Sequence, residues 1–171
     1  MNFQLTNPLI TYQSKQQIYF EIYVKYPTQF ILNNWTRLLQ NSQFYPKNVV
    51  IILFFSELLI SPKNSQVIAE KNRLKNEFLQ LAKKIKLAGH QDQKSIEIID
   101  PQDGTPTNSI KGEIAFDIVA VVYQSLGLSF SDQDGCRVLH HPIAKTAVYP
   151  TILLSDAGKK ELQSLIEKIL V

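Results

Sequence analysis

One stretch of the chain concentrates the side chains that could do chemistry, the segment "DQDGCRVLHHP" at residues 132–142. It contains the only cysteine, Cys136, and two of the three histidines, His140 and His141. A thiolate is the form of cysteine that attacks electrophiles or binds metals, and a neighbouring imidazole can activate it. The stretch is therefore compatible with a nucleophile and its base, with a metal site, or with ordinary packing.

Strand geometry argues against a Cys–His pair built from this stretch alone. A strand is predicted from Cys136 onward, and a rise of roughly 3.3 Å per residue puts His140 about 13 Å from Cys136. Alternation places Cys136, Val138 and His140 on one face of that strand. Arg137 then points to the opposite face and gives the thiol little direct help. What remains is a single thiolate presented at a loop-to-strand junction, or a small packed hydrophobic side chain.

Other catalytic chemistry finds little support in the sequence. Hydrolase, P-loop, dinucleotide-binding and H-E-x-x-H zinc motifs are absent. One cysteine excludes an intramolecular disulfide and a zinc site with several thiolates. Two carboxylate pairs, Asp100 with Asp103 and Asp132 with Asp134, lie in turn-like segments, where aspartate usually accepts hydrogen bonds from the backbone.

Composition describes an ordinary globular chain. The 171 residues are 44% hydrophobic and 19% charged, with a net charge of +3, which is too slight to indicate nucleic acid or anionic membrane as a partner. The longest apolar run, residues 49–55, is far shorter than the roughly 20 residues of a membrane helix. We expect a cytoplasmic protein, monomer or homodimer, that binds neither membrane nor nucleic acid and keeps Cys136 as a free thiol.

Hydrophobic periodicity predicts the elements that position these residues. Residues 1–16 are polar and aperiodic, so a flexible leader is expected before a single domain at residues 17–171. The alternation of "QIYFEIYVK" at residues 17–25 indicates a half-buried strand, whereas the β-branched run at 49–55 indicates a strand covered on both faces. "SIEII" at residues 95–99 is a further strand.

Helical spacing follows Pro62 and predicts the longest helix, about 22 residues, with Gly89 near its end. A shorter helix is expected around Trp35. Ser155 is predicted to cap a C-terminal helix. The segment "EIAFDIVAVVYQSLG" is compatible, from periodicity alone, with a strand or with a buried helix.

The C-terminal half predicts turns and a hairpin. "DPQDG" at residues 100–104 is a strong turn pattern, with Gly104 free to take positive φ. "CRVLHH" and "TAVYPTILL" are predicted to form an antiparallel hairpin across residues 142–145. Pro150 indicates an edge or a bulge in the second of these strands. The fold class that follows is α+β, with about five strands in a mixed or antiparallel sheet and helices packed on it.

Four blocks in order carry a resemblance to a known family: "IIDPQDGTP", "SLGL", "GCRVLHHP" and "TAVYPTILLSDA". The chain resembles the methylmalonic aciduria and homocystinuria type D proteins, the cobalamin-trafficking family, and its cyanobacterial-type members in particular. The similarity spans roughly residues 70–160. It implies a nitroreductase-like α+β fold without flavin, and a helix at residues 113–126.

The resemblance also implies a function for the lone thiol. Animal members are adaptors that dock on the protein which removes the upper ligand of vitamin B12 and direct the cofactor to client enzymes. The family cysteine, here Cys136, can supply a thiolate to the cobalt of partner-bound cobalamin. The cofactor-binding residues expected on this basis are Cys136, Gly135, His141 and Tyr149. The expected structural motif residues are Asp100, Pro101, Gly104, Gly127, Pro142 and Thr146.

Two details qualify the comparison with the family. His141 is expected to orient a loop by hydrogen bonding, and Tyr149 to serve in docking or in strand packing. Ala144 and Lys145 stand where the family usually has Trp-Gly, so a partner contact is expected to differ. The alternatives are an interaction module with a packed Cys136, and a flavin or redox enzyme, which the six glycines and the lack of a basic phosphate-binding set disfavour.

Overall fold

The computed structural model describes residues 7–60 and 64–170. Within those ranges, a five-stranded antiparallel sheet carries helices on both faces, and a separate two-stranded hairpin packs beside it. The strands are β1 (Ile10–Gln13), β2 (Tyr19–Lys25), β3 (Asn48–Phe55), β4 (Ile96–Ile98), β5 (Phe130–Gln133), β6 (Cys136–Leu139) and β7 (Val148–Ser155). The helices are α1 (Gln29–Asn33), α2 (Trp35–Leu38), α3 (Ser65–Gln91), α4 (Ile118–Leu126) and α5 (Lys159–Leu170).

The sheet confirms the α+β prediction in its antiparallel form. Its strand order is β1-β2-β3-β7-β4, and every neighbouring pair is antiparallel. The central strand β3 is buried on both faces, as its β-branched run predicts. Helices α3 and α5 cover one face, where Ile22, Ile52 and Leu153 point, and α1, α2, α4 and the hairpin cover the other, where Tyr23 and Ile51 point.

Both faces of β2 are covered, so the prediction of a half-buried strand is wrong. Tyr23 and Glu21, on the face expected to be solvated, are only 1% and 8% exposed. The alternation of apolar and polar residues shows which side chains share a face of β2. It does not reveal that a second layer of helices covers the face that carries Glu21 and Tyr23. The segment predicted as a loose leader also contributes β1, whose Ile10 pairs with Ile22; residues 1–6 lie outside the described residues.

Side-chain and glycine caps mark the ends of α3 and α4. The side chain of Asn64 accepts a hydrogen bond from the Val67 amide, and α3 runs two residues past Gly89. The ambiguous segment is indeed helical, but α4 starts only after Asp117, whose side chain accepts from the Ala120 amide. Gly127 ends α4 with φ 73°, the left-handed glycine cap.

Two predictions for the C-terminal third are wrong. Ser155 does not cap α5, because it is the last residue of β7 and is fully buried. Its hydroxyl donates a hydrogen bond to the Ser95 carbonyl. The predicted hairpin of β6 with β7 does not form, since β6 pairs with β5 and β7 pairs with β3 and β4. Asp134 and Gly135 have φ of 49° and 76°, the positive pair of a type I′ turn, and that turn joins β5 to β6.

Candidate functional site

An open edge of the sheet creates the main cleft beside the hairpin. Strand β4 pairs with Leu153–Ser155 of β7, and the Ile99 amide donates to the Ile152 carbonyl at 3.4 Å. Among the described residues, no strand pairs with Val148–Thr151 on that side. Pro150 lies in this uncovered part, as a proline inside a strand requires. A cleft of about 450 Å³ opens there, lined among others by Pro101, Arg137, Tyr149 and Pro150.

The DPQDG turn forms one wall of this cleft, and hydrogen bonds engage both of its carboxylates. The Asp100 carboxylate accepts from the Gln102 amide at 2.8 Å and from Lys75 Nζ at 2.7 Å, which ties the turn to α3. Gly104 has φ 72°, and its amide donates to the Asp100 carbonyl at 2.8 Å. The carboxylate of Asp103 accepts from Thr105, which holds the pKa of Asp103 below its ordinary value. The two aspartates thus act as turn caps rather than as an acid–base pair.

The hairpin presents Cys136 immediately after its tight turn. The thiol is half-buried, and Cys136 pairs across the hairpin with Gln133. Space around the turn is open, because a Cβ built on Gly135 would meet nothing within 4 Å. Cys136 is not part of the cleft lining, but the next two residues of β6, Arg137 and Val138, are. The sulfur therefore lies beside the cleft.

Arg137 ties the hairpin to α4. Its guanidinium forms an ion pair with Asp117, the cap of α4, and lies 3.9 Å from the Asp132 carboxylate. It also lies 5.2 Å from the centre of the Phe130 ring. These contacts fix the orientation of the strand that carries Cys136.

Neither neighbouring histidine serves the thiol. His140 Nε2 lies 2.7 Å from Ser131 Oγ, a contact within the hairpin. His141 is 2% exposed, and its Nδ1 accepts from the amides of Ile143 and Ala144 at 3.2 Å each. The geometric argument against a Cys–His pair thus agrees with the structure, and His141 bonds the loop that it was expected to orient.

A buried acidic group completes the environment of His141. Because Nδ1 of His141 accepts two amide protons, Nε2 carries the proton and donates to Glu21 Oε2 at 3.2 Å. Tyr23 donates to the same oxygen at 2.7 Å. Burial raises the pKa of Tyr23 well above its ordinary value, and the bond to Glu21 adds to the shift. Sequence reasoning missed this network, since 120 residues separate Glu21 from His141.

Tyr149 is buried in the protein and also lines the main cleft. The residue is 7% exposed, and it lines both the main cleft and a smaller one beside Lys71. Its hydroxyl has no hydrogen bond to any residue within 7–60 and 64–170. Burial raises the pKa of Tyr149 well above its ordinary value, and the charge of Asp100 raises it further.

The remaining motif residues build scaffold around the site. The Thr146 carbonyl accepts from the Ile60 amide at 3.1 Å, which joins the loop after β6 to the loop after β3. Pro142 is exposed, and its carbonyl accepts from Lys145 Nζ at 3.5 Å. Lys145 itself has φ 55° in the tight turn that begins at His141.

The arrangement offers one thiol and no preformed metal cage. In the part of the chain that the structure describes, no three metal-ligating side chains come together. None of the described helices is both long enough and apolar enough to cross a membrane. In comparisons with known proteins, no family model matches this chain, and no curated protein matches it either.

Proposed function

We propose that this protein is a non-enzymatic cobalamin-handling adaptor on a flavin-free, nitroreductase-like fold. In this proposal the Cys136 thiolate approaches the cobalt of a cobalamin that a cobalamin-processing partner holds, before transfer to a client enzyme. The observation that carries the proposal is the convergence of three sequence blocks around one cleft. The DPQDG turn, the GCRV strand and the AVYP strand all line it or lie directly beside it.

The chemistry of the site fits a cobalt cargo. A thiolate is a soft ligand, and a cobalt ion that the corrin leaves with an open position needs only one such ligand. The turn beside Cys136 is open, because a Cβ built on Gly135 would meet nothing within 4 Å. Coordination uses a sulfur lone pair and releases the thiol proton to solvent, so no oxidant or reductant is needed.

An exposed apolar surface beside the site supports a protein partner. Ile143 and Leu59 are 80% and 58% exposed. They lie on two loops that hydrogen bonds join, Ser56 to Ala147 and Ile60 to Thr146. Large contiguous apolar patches mark protein contacts, and these two side chains would contribute to such a contact for a partner that binds across both loops. The same loop contains Ala144 and Lys145, which replace the Trp-Gly of the resembled family, so the partner contact would have its own specificity.

A visible-spectrum titration tests the proposal. Wild type and Cys136→Ser are mixed with cob(II)alamin, alone and together with a cobalamin-processing protein. Gln133→Ala is the matched control, because it changes the residue opposite Cys136 and keeps the thiol. We expect a spectral change for wild type and Gln133→Ala and none for Cys136→Ser. The absence of any thiolate-dependent change in every mixture would refute the proposal.

Thiol labelling separates this function from a purely structural role of the cysteine. Because Cys136 is half-buried beside an open turn, it should react with a thiol reagent in native buffer. A thiol that reacts only after denaturant is added would favour an interaction module in which Cys136 is packed.

A further inference from the structure

A second cleft, of about 400 Å³, lies between the last turns of α3, strand β4 and the loops at residues 40–44 and 108–110. It shares no lining residue with the cleft beside the hairpin. An inference about this cleft therefore does not depend on the role of Cys136.

A buried carboxylate forms part of the wall of this second cleft. Ile96 and Ile98 of β4 pack toward α3 and α5, so Glu97 between them points to the opposite side. Glu97 is only 4% exposed, and Ser109 donates to its Oε2 at 2.5 Å. Its Oε1 is buried and has no hydrogen-bond partner among the described residues. Buried polar groups are normally satisfied, and an unpaired carboxylate oxygen is costly, so Oε1 calls for a donor from beyond the described residues.

Basic groups stand at the same cleft. Lys86 and His90 are one helical turn apart on α3, and Lys94 follows the helix. Lys94 is paired with Glu161 at 3.3 Å, whereas half-buried Lys86 has no ion pair with a described residue. Cations near the C-terminus of a helix stabilise its dipole. That effect accounts for these basic residues but leaves the unpaired oxygen of Glu97 unexplained.

We propose that this cleft binds a small zwitterion, a molecule with an ammonium group and an acidic group. The ammonium would donate to Glu97 Oε1, and the acidic group would meet Lys86 and His90. Phe44 and Ile110 offer apolar surface for the body of the ligand. A simple cation is disfavoured by the lysines, and a simple anion by the buried carboxylate.

Calorimetric or NMR titration of the full chain tests this site with named probes. The zwitterions are L-leucine and ε-aminocaproate, which differ in the separation of their charges. Hexylamine and hexanoate supply each charged half alone. We expect saturable binding of at least one zwitterion, and binding of each half weaker by about tenfold or more, since each half loses one charge-assisted contact. No saturable zwitterion binding, or equally tight binding of hexylamine or hexanoate, would overturn the proposal.

Substitutions assign any binding to this cleft. Glu97→Gln keeps an acceptor for Ser109 and removes the charge, and should weaken zwitterion binding about tenfold or more. Lys86→Gln, on a half-buried helix position, should also weaken it and is available if Glu97→Gln does not fold. Lys83→Gln is the matched control, because Lys83 is exposed on the same helix and lies outside the cleft. Binding that Glu97→Gln and Lys86→Gln leave unchanged would refute the assignment.

Discussion

Replacing Gly104 by alanine tests how the wall of the main cleft is built. Gly104 and Gly135 have nearly the same backbone conformation, with φ of 72° and 76°. Their surroundings differ sharply. A Cβ on Gly104 would lie 2.1 Å from the Phe116 carbonyl oxygen, whereas one on Gly135 would meet nothing within 4 Å. Gly135→Ala is therefore a matched control that has the same conformational strain without the clash.

The expected magnitudes follow from these contacts. A left-handed conformation costs a residue with a Cβ about 1–2 kcal/mol, so Gly135→Ala should lower the free energy of unfolding by about 1 kcal/mol. Gly104→Ala has the same strain, and its Cβ must also move by about 1 Å to escape Phe116. That shift strains two backbone hydrogen bonds, Gly104 to Asp100 and Phe116 to Gly104, both 2.8 Å long. With about 0.5–1.5 kcal/mol for each bond, the total loss is about 3 kcal/mol.

Urea denaturation followed by circular dichroism measures both variants. The difference in the free energy of unfolding between Gly104→Ala and Gly135→Ala isolates the steric part, which should be about 2 kcal/mol. Equal losses for the two alanines would refute the reasoning, because the close approach of Phe116 would then have no energetic consequence. A smaller loss for Gly104→Ala than for Gly135→Ala would refute it more strongly.

Two further predictions concern buried polar groups. Glu21→Leu leaves the donors of His141 and Tyr23 unsatisfied and should lower the free energy of unfolding by about 2–5 kcal/mol. Glu21→Gln retains an acceptor, so its loss should be clearly smaller. Similar losses for the two variants in urea denaturation would contradict the network. Tyr149→Phe should leave stability at neutral pH within about 0.5 kcal/mol of wild type, because no described residue bonds to its hydroxyl. The folded state favours the neutral phenol of Tyr149, because its pKa is raised there. The free energy of unfolding is therefore unaffected by Tyr149 ionisation below a pH of about 10, the ordinary pKa of tyrosine, and decreases as the pH rises above that value. The variant should therefore lose less stability in alkaline denaturation, and an identical alkaline loss would contradict this.

Some of the fold was predictable because its causes are local. The residue spacing of α3 and the β-branched run of β3 each identify an element without reference to the rest of the chain. The turn at Asp100 to Gly104 is likewise encoded by side chains that bond to their own backbone. The Asp134–Gly135 pair was equally local, since Asp-Gly is a strong pattern for a type I′ hairpin. A loop at this position leaves β6 without β5 as a partner, and the predicted pairing of β6 with β7 is therefore wrong.

Other features have no local cause. The second helical layer over β2 depends on where α1, α2 and α4 pack, so the alternation of β2 could not reveal that Glu21 is buried. Likewise, Glu97 and Ser109 are brought together by the route of the loop after β4, and nothing in either segment indicates the contact.

By itself, the sequence determined the α+β class, the central buried strand, the longest helix and the one thiol that can do chemistry, because each follows from residue types and short-range spacing. The tertiary structure alone decided that β4 is too short to cover β7, which opens the cleft between the DPQDG turn and the Cys136 hairpin. It also decided that both neighbouring histidines are held by other partners. Pairing and coverage depend on contacts between residues far apart in the chain, and one-dimensional periodicity carries no information about them.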